Sequence, residues 1–186
     1  MERKGIMPQV QVMADRLDLE LVNMSIAGNG NHHIVYHTVN EILSNHSEYA
    51  FVCIGWSNPG RWDYNTNGNK WFAHKIIKFV DHINKDINID QTMFMQWAPQ
   101  VVMLTEFLRS YHMPFIQWNS LKTWQDGDTQ LHSHIQSIPE FYKPTESHIE
   151  HLRTNRHYIS EDDHHPDQQS HDDWADKLLD HYRKLI

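Results

Sequence analysis

Apolar residues recur along this chain in two spacings, and each spacing predicts a different kind of element. Positions that repeat every three to four residues predict amphipathic helices. These helical patterns cover residues 8–17, 33–43, 71–83, 91–111 and 172–185. Pro8 suits a first helical turn, whereas Pro99 is expected to break or kink the helix that contains it.

Shorter apolar runs predict strands at 19–24, 49–56 and 114–118. The run at 49–56 is nearly continuous and rich in β-formers, as in strands that a parallel sheet buries on both faces. Polar residues predict a loop at 57–69 and a loop-rich region at 119–154. Strands that alternate with helices favour an α/β fold with a mainly parallel sheet, and no linker divides residues 1–186 into two domains.

Composition narrows the classes of function. The chain has 186 residues and a formal net charge of -8, which argues against nucleic-acid binding because phosphates require a basic face. No apolar run approaches the roughly 18 residues of a membrane span. Cys53 is the single cysteine, so no intramolecular disulfide can form. Since no signal peptide is recognisable either, a cytoplasmic location is expected.

Two segments that follow predicted strands are candidate ligand sites, because ligands of open α/β sheets bind beyond the carboxyl ends of the strands. Gly28 and Asn31 belong to a Gly-Asn-Gly-Asn turn before a helix, where backbone N–H groups can face a ligand. The same turn also fits a plain strand-to-helix connection with Asn31 as the helix N-cap.

The second segment, 55–61, follows the most hydrophobic strand. Ser57 or Asn58 could donate a hydrogen bond to a ligand oxygen there, and Arg61 could bind an anion. Several tryptophans near strand ends or loops could stack on sugar rings, although ordinary packing is the better explanation for any single one of them. These are Trp56, Trp62, Trp118 and Trp124.

The third segment is acidic and rich in histidine. Residues 157–176 carry seven acids, four histidines and no Lys or Arg. A carboxylate beside a histidine fixes its tautomer and raises its basicity, which suits a general base. The same residues could hold a metal ion, or could form a solvated acidic loop that caps the final helix.

These segments, in this order, resemble blocks of the SGNH/GDSL hydrolase superfamily, in particular SGNH-like proteins of bacteriophage and bacterial genomes. Residues 22–31 resemble the block that supplies an oxyanion-hole glycine, and 53–61 resemble the Gly-x-Asn block. Residues 107–115 resemble the passage that leads to the late loops, and 162–171 resemble the block with the catalytic Asp and His. The resemblance implies a three-layer α/β/α, flavodoxin-like fold and acyl-ester hydrolysis without a cofactor, O-acetyl esters included.

The resemblance also implies roles for individual residues. His165 would be the general base, oriented by Asp162 or by Asp163. Gly28 and Asn58 would contribute to the oxyanion hole. Asn31, Trp56 and Arg61 would bind the substrate.

The chain departs from the family at the nucleophile. Gly-Asp-Ser, the family motif that ends the first strand, occurs nowhere in the sequence, so that strand and its serine are absent. The chain could be truncated, could bind without cleaving, or could use Ser57 as the nucleophile. An ester hydrolase, a non-catalytic module for a carbohydrate or protein partner, and a His/Asp metal protein therefore remain alternatives. Unpaired strand edges also predict a homo-oligomer.

Overall fold

The computed structural model describes residues 6–26, 29–59, 61–66, 70–75, 89–121, 130–155, 157–163 and 165–186, with the backbone alone at 62–66, 70–75 and 89–90. Its helices are Gln9–Arg16 (α1), Asn31–Asn45 (α2), Ile89–Ser110 (α3), Gln130–Gln136 (α4), His148–Asn155 (α5) and Gln168–Tyr182 (α6). Its strands are Val52–Trp56 (β1), Arg61–Thr66 (β2), Lys70–Lys75 (β3) and Phe115–Asn119 (β4).

Strands β1 and β4 form a parallel pair at the centre of the chain, with Cys53 opposite Ile116 and Gly55 opposite Trp118. Side chains alternate between the two faces of the pair. Ile54 and its face-mates pack with α2, α3 and α4, whereas Ile116 and Trp118 pack with α1 and α6. Helices thus cover both faces of a parallel pair, which confirms the α/β class.

The register of the pair is reinforced by a buried chain of polar side chains. Trp56 is fully buried, and its Nε1 donates to Gln117 Oε1 at 2.9 Å. Gln117 Nε2 in turn donates to Thr105 Oγ1 on α3 at 2.8 Å. Because all three groups have partners, this polar chain crosses the core without an unsatisfied side-chain atom.

The segment at 19–26 is not a strand, so the prediction of a strand at 19–24 is wrong. In this part of the described chain, no backbone hydrogen bond joins residues 19–26 to β1. The β-forming pattern is present, but a strand needs a ladder partner, and a cavity separates the segment from the edge of β1.

An antiparallel hairpin, β2–β3, follows β1 and pairs Arg61 with Lys75 at its open end. It corrects two predictions, since residues 61–66 are a strand rather than loop and residues 71–75 are a strand rather than helix. Residues 76–83 of that predicted helix lie outside the described residues. The sequence carries a hairpin signal at Asn67-Gly68, between two runs rich in aromatic residues, that outweighs the helical spacing.

The other predicted helices are confirmed as α1, α2, α3 and α6. Helix α3 runs as one element through Pro99, contrary to the expected break. Helix α6 begins four residues earlier than predicted because the Asp167 carboxylate accepts from Ser170 N at 2.8 Å and caps it. Helices α4 and α5 interrupt the region predicted to be mostly loop.

Among the helices in the described ranges, none combines the length and the apolar character needed to cross a bilayer.

Candidate functional site

Asn31 closes the outer edge of β1 where the strand ends. Ser57 N–H donates to Asn31 Oδ1 at 2.8 Å, and Asn31 Nδ2 donates to the Ser57 carbonyl at 3.3 Å. One buried side-chain amide thereby makes the two bonds that a neighbouring strand would make. Asn31, expected to bind substrate, is committed to the backbone of Ser57.

Arg61 carries a charge that no carboxylate balances among the described residues. Its Nη1 donates to Ser57 Oγ at 3.0 Å and to the Asn29 carbonyl at 3.4 Å, and both acceptors are neutral. The side chain is half-buried, and the turn that holds it is closed by a bond from Arg61 N to the Asn58 carbonyl at 3.0 Å. A guanidinium held in this way has N–H groups left for a ligand oxygen.

Ser120 completes this end of the sheet, and Gly55 makes room for it. A Cβ on Gly55 would lie 2.5 Å from Ser120 Oγ and 2.9 Å from the Trp118 ring. Only glycine therefore allows Ser120 to approach β1 so closely. Asn29, Ser57, Arg61 and Ser120 form what we call the polar mouth.

The polar mouth opens into a cavity of about 710 Å³ that extends along the outer edge of β1. One wall is α1, the opposite wall is α2, and residues 19–26 close the outer side. We call this body of the cavity the apolar trough. Its apolar lining includes Val10, Met13, Leu17, Val22, Met24, Ile34, Ile42 and Ile54.

The end of the trough opposite the mouth is acidic. Glu41 and Glu48 line it together with Tyr49, whose hydroxyl donates to Glu41 Oε1 at 2.5 Å. Hydrogen bonds from Tyr49 and Asn45 lower the pKa of Glu41, so the carboxyl is ionised. The bond to Glu41 raises the pKa of Tyr49 to about 12.

Cys53 also lines the trough, and burial raises the pKa of its thiol to about 12. At neutral pH this group is a thiol rather than a thiolate. It therefore contributes uncharged, apolar surface to the trough.

Asp163 and His165 form a side-chain pair on the loop before α6. His165 Nδ1 lies 2.6 Å from Asp163 Oδ1, and the His165 side chain is 68% exposed. Asp163 N donates to Ser160 Oγ at 3.0 Å, which fixes the turn. Asp162 is exposed, and the structure pairs His165 with Asp163 instead. The arrangement is that of a histidine held in one tautomer by a carboxylate.

The structure does not bring this loop to the polar mouth. Of the described residues that line the cavity, none belongs to the loop at 157–167. Within the described part of the chain, Arg61 is the one side chain that bonds to Ser57 Oγ. Ser57 and the Asp163–His165 pair, which were expected to share one catalytic site, therefore lie in separate places.

The other residues predicted for the site lie in the core, in the turn at Arg61 or outside the described residues. Trp56 lies in the core with its whole side chain buried, so its ring does not reach a ligand, and Trp118 is buried on the other face. Gly28 and Trp124 lie outside the described residues, and so does the side chain of Trp62. Asn58 is half-buried and contributes its carbonyl to the turn at Arg61.

Sequence reasoning missed a group of histidines packed around Trp174 between α5 and α6. The His148 ring stacks on Trp174 with centroids 5.0 Å apart, and the His151 ring lies 5.3 Å from the same indole. His171 lies 5.5 Å from His148. The sequence signal that could have revealed this group is a three-residue spacing on two neighbouring helices. It separates His148 from His151 on α5, and His171 from Trp174 on α6.

Burial dominates the electrostatics of this group. It lowers the pKa of His148 to about 3, with further lowering by His171 and His151. Burial also lowers the pKa of His171, against the opposing effect of Asp167. His148 is therefore a neutral core residue at physiological pH.

The described residues contain no group of three or more His, Cys, Asp or Glu side chains arranged to hold a metal ion. The acidic, histidine-rich segment is spread along the loop and α6 instead of converging on one point.

No family model, curated protein or solved structure matches this chain.

Proposed function

We propose that this chain is an SGNH-like α/β domain that binds an ester, or the carboxylate derived from it, at the polar mouth. The observation that carries the proposal is the Arg61 guanidinium, which is half-buried and which, among the described residues, bonds to the neutral oxygens of Ser57 and Asn29 alone. Guanidinium groups bind carbonyl and carboxylate oxygens strongly when partly desolvated. The mouth also lies at the carboxyl end of a parallel strand, where α/β folds bind ligands.

A carbohydrate ring is a weaker match for the mouth. Of the tryptophans expected to stack on sugars, the two whose side chains the structure describes, Trp56 and Trp118, are core residues and do not line the cavity. The polar mouth instead presents one cation and two hydroxyl groups, from Ser57 and Ser120, close to apolar walls. A small acyl group, such as an acetyl ester, fits that combination best.

Titration followed by NMR tests the proposal. Sodium acetate, triacetin and N-acetylglucosamine would each be added while the Arg61 Nε–Hε and Ser57 amide signals are recorded. In the unaltered chain we expect acetate and triacetin to shift both signals with saturation in about the millimolar range, and we expect Arg61→Ala to abolish the shift of the Ser57 amide.

Arg183→Ala is the matched control, since Arg183 is 59% exposed and pairs with Asp180 on the surface. Its titration should equal that of the unaltered chain. A Ser57 amide shift of equal size in Arg61→Ala, or no shift with either acetyl probe in the unaltered chain, would refute binding at the mouth. A response to the sugar alone would assign the site to a carbohydrate instead.

Ester hydrolysis is the second candidate, and the Asp163–His165 pair at 2.6 Å is the observation that favours it. Hydrolysis would require the loop at 157–167 to move so that His165 reaches Ser57 Oγ. A fluorophosphonate probe, read by intact mass and peptide mapping, tests this directly. An adduct on Ser57 that disappears in His165→Ala establishes the pair.

Ser110→Ala and His134→Ala are the matched controls for that labelling, because both residues are exposed and remote from the mouth in sequence. They should label like the unaltered chain. A folded chain that takes up no probe would leave ligand recognition as the function of the mouth.

A further inference from the structure

The outer edge of β1 has backbone groups without a hydrogen-bond partner among the described residues. In the parallel ladder, Val52 N bonds to the Pro114 carbonyl, and Ser120 N bonds to the Trp56 carbonyl. The backbone N–H and C=O groups of Val52, Ile54 and Trp56 therefore point toward β4. Those of Cys53 and Gly55 point toward the outer edge. Asn31 satisfies this edge only at Ser57.

The apolar trough lies beside the backbone groups of Cys53 and Gly55. Its boundaries match those of a site for one further strand of the sheet. Its walls are α1 on one face of the sheet and α2 on the other, so an occupant would be buried on both faces. Strands buried in this way are apolar at every position. Residues 19–26 run along the far side and leave Val22, Met24 and Ile26 exposed by 55%, 41% and 58%. This alternate row would be covered by an occupant.

The charges at the two ends of the trough differ in sign. Glu41 and Glu48 lie at the end where β1 begins, and Arg61 lies where it ends. A segment that runs parallel to β1 would meet carboxylates first and a guanidinium last. It would therefore carry a basic residue before its apolar part and an acidic residue after it.

We infer that the apolar trough is a docking site for an extended segment of a partner protein, added in parallel to the free edge of β1. The occupant has about five consecutive apolar residues, a Lys or Arg before them and an Asp or Glu after them. Its backbone bonds to the N–H and C=O groups of Cys53 and Gly55, as in other cases of strand addition. The occupant extends the parallel sheet from two strands to three.

Amide hydrogen exchange with a designed peptide tests this inference on the full chain. The probe is the capped peptide KVIVIVE, and the matched control is KVIPIVE, whose central proline lacks one N–H and resists the sheet. We expect KVIVIVE to slow exchange at Cys53 and Gly55 by about tenfold or more. Ile54 and Trp56, already bonded to β4, provide the internal reference and should change far less. KVIPIVE should leave all four amides unchanged.

Three results would overturn the inference. One is a folded chain that shows no change with KVIVIVE up to roughly 1 mM. Another is equal protection by KVIPIVE, which would indicate non-specific apolar binding. The third is protection at Cys53 and Gly55 that depends on protein concentration without peptide, because a second copy would then fill the trough. The acetyl titration at Arg61 is independent, so the two proposals can fail separately.

Discussion

The two outer edges of the central strand pair differ in how they are closed. On β4, backbone groups of the chain that follows satisfy the edge, since Gln117 N donates to the Glu140 carbonyl and Tyr142 N donates to the Gln117 carbonyl, both at 2.8 Å. Ile149 N continues this closure at the Ser120 carbonyl. On β1, Asn31 is the one described side chain that closes a position of the edge, and a cavity lies along the rest.

This difference makes the edge of β1, and not that of β4, the candidate for ligand recognition. Every residue of β4 is buried, and loop backbone covers its edge, as proteins usually arrange. The edge of β1 breaks that rule beside an apolar cavity and next to Arg61, which no carboxylate balances within the described part of the chain. Local exceptions to folding rules are expected at functional sites. The comparison can be tested by substitutions on either side.

The largest expected effect comes from residues that oppose each other across the pair. Ile116→Ala on β4 should lower the free energy of unfolding by about 2–5 kcal/mol, because a fully buried side chain leaves a cavity. Its neighbour in register on β1 is Cys53, and Cys53→Ala should cost about 1 kcal/mol because the trough is already empty beside it. Urea denaturation measures both. Similar losses would show that the two strands are equally packed.

Asn31→Ala should cost about 1–3 kcal/mol, because it leaves both backbone groups of Ser57 without partners in a buried place. Hydrogen exchange at the Ser57 amide should accelerate with it. Asn40→Ala on the exposed face of the same helix is the control and should stay within about 0.5 kcal/mol. A neutral Asn31→Ala would mean that the edge needs no closure.

The β4 side should be the acid-sensitive one, through His148. The native pKa is about 3 against an ordinary value of 6.5, so protons bind the unfolded chain first. Stability from the neutral ring is complete above pH 6.5 and falls as pH decreases toward 3. At pH 5 the loss is about 2 kcal/mol. His148→Phe should flatten the stability profile between these values, and His134→Gln on exposed α4 should not.

The smallest expected effect concerns the link between α3 and the edge of β4. Arg109 donates to both oxygens of Glu140, from Nε at 2.9 Å and from Nη2 at 2.6 Å. Arg109→Lys keeps the charge but loses the two-bond geometry, which should cost about 1 kcal/mol. Thermal unfolding measures it, with Arg183→Lys as the surface control. No difference between the two variants would mean that the paired geometry contributes nothing.

Most of the fold could be predicted from local pattern. The helices α1, α2, α3 and α6 and the strands β1 and β4 follow from apolar spacing, because each buries a face whose period is visible in the sequence. The segment at 19–24 has an equally good strand pattern, but its state depends on a partner that spacing does not reveal. The prediction of a helix at 71–75 is wrong for a different reason, because helical spacing and a hairpin signal coincide there.

The candidate site was predictable in part. Asn31, Ser57 and Arg61 were identified from their place after predicted strands, and the structure brings all three together, although the segment before Asn31 is not a strand. The sequence did not predict which of these residues binds backbone and which faces a ligand, because the bond from Asn31 to Ser57 spans 26 positions. Trp56 faces the core for a similar reason, since its indole meets Gln117 from a distant strand. The roles proposed for Gly28, Asn58, Asp162, Asp163 and His165 remain predictions.

The chain of hydrogen bonds from Trp56 through Gln117 to Thr105 has a consequence for recognition at the free edge. It ties β1 to β4 and to α3, so the strand that would receive a partner is already ordered. A docking segment would lose its own conformational entropy, while the receiving strand would lose little. Thr105→Val weakens this series of hydrogen bonds and leaves the lining of the trough unchanged. It should therefore reduce the affinity for a strand ligand, because β1 becomes less ordered.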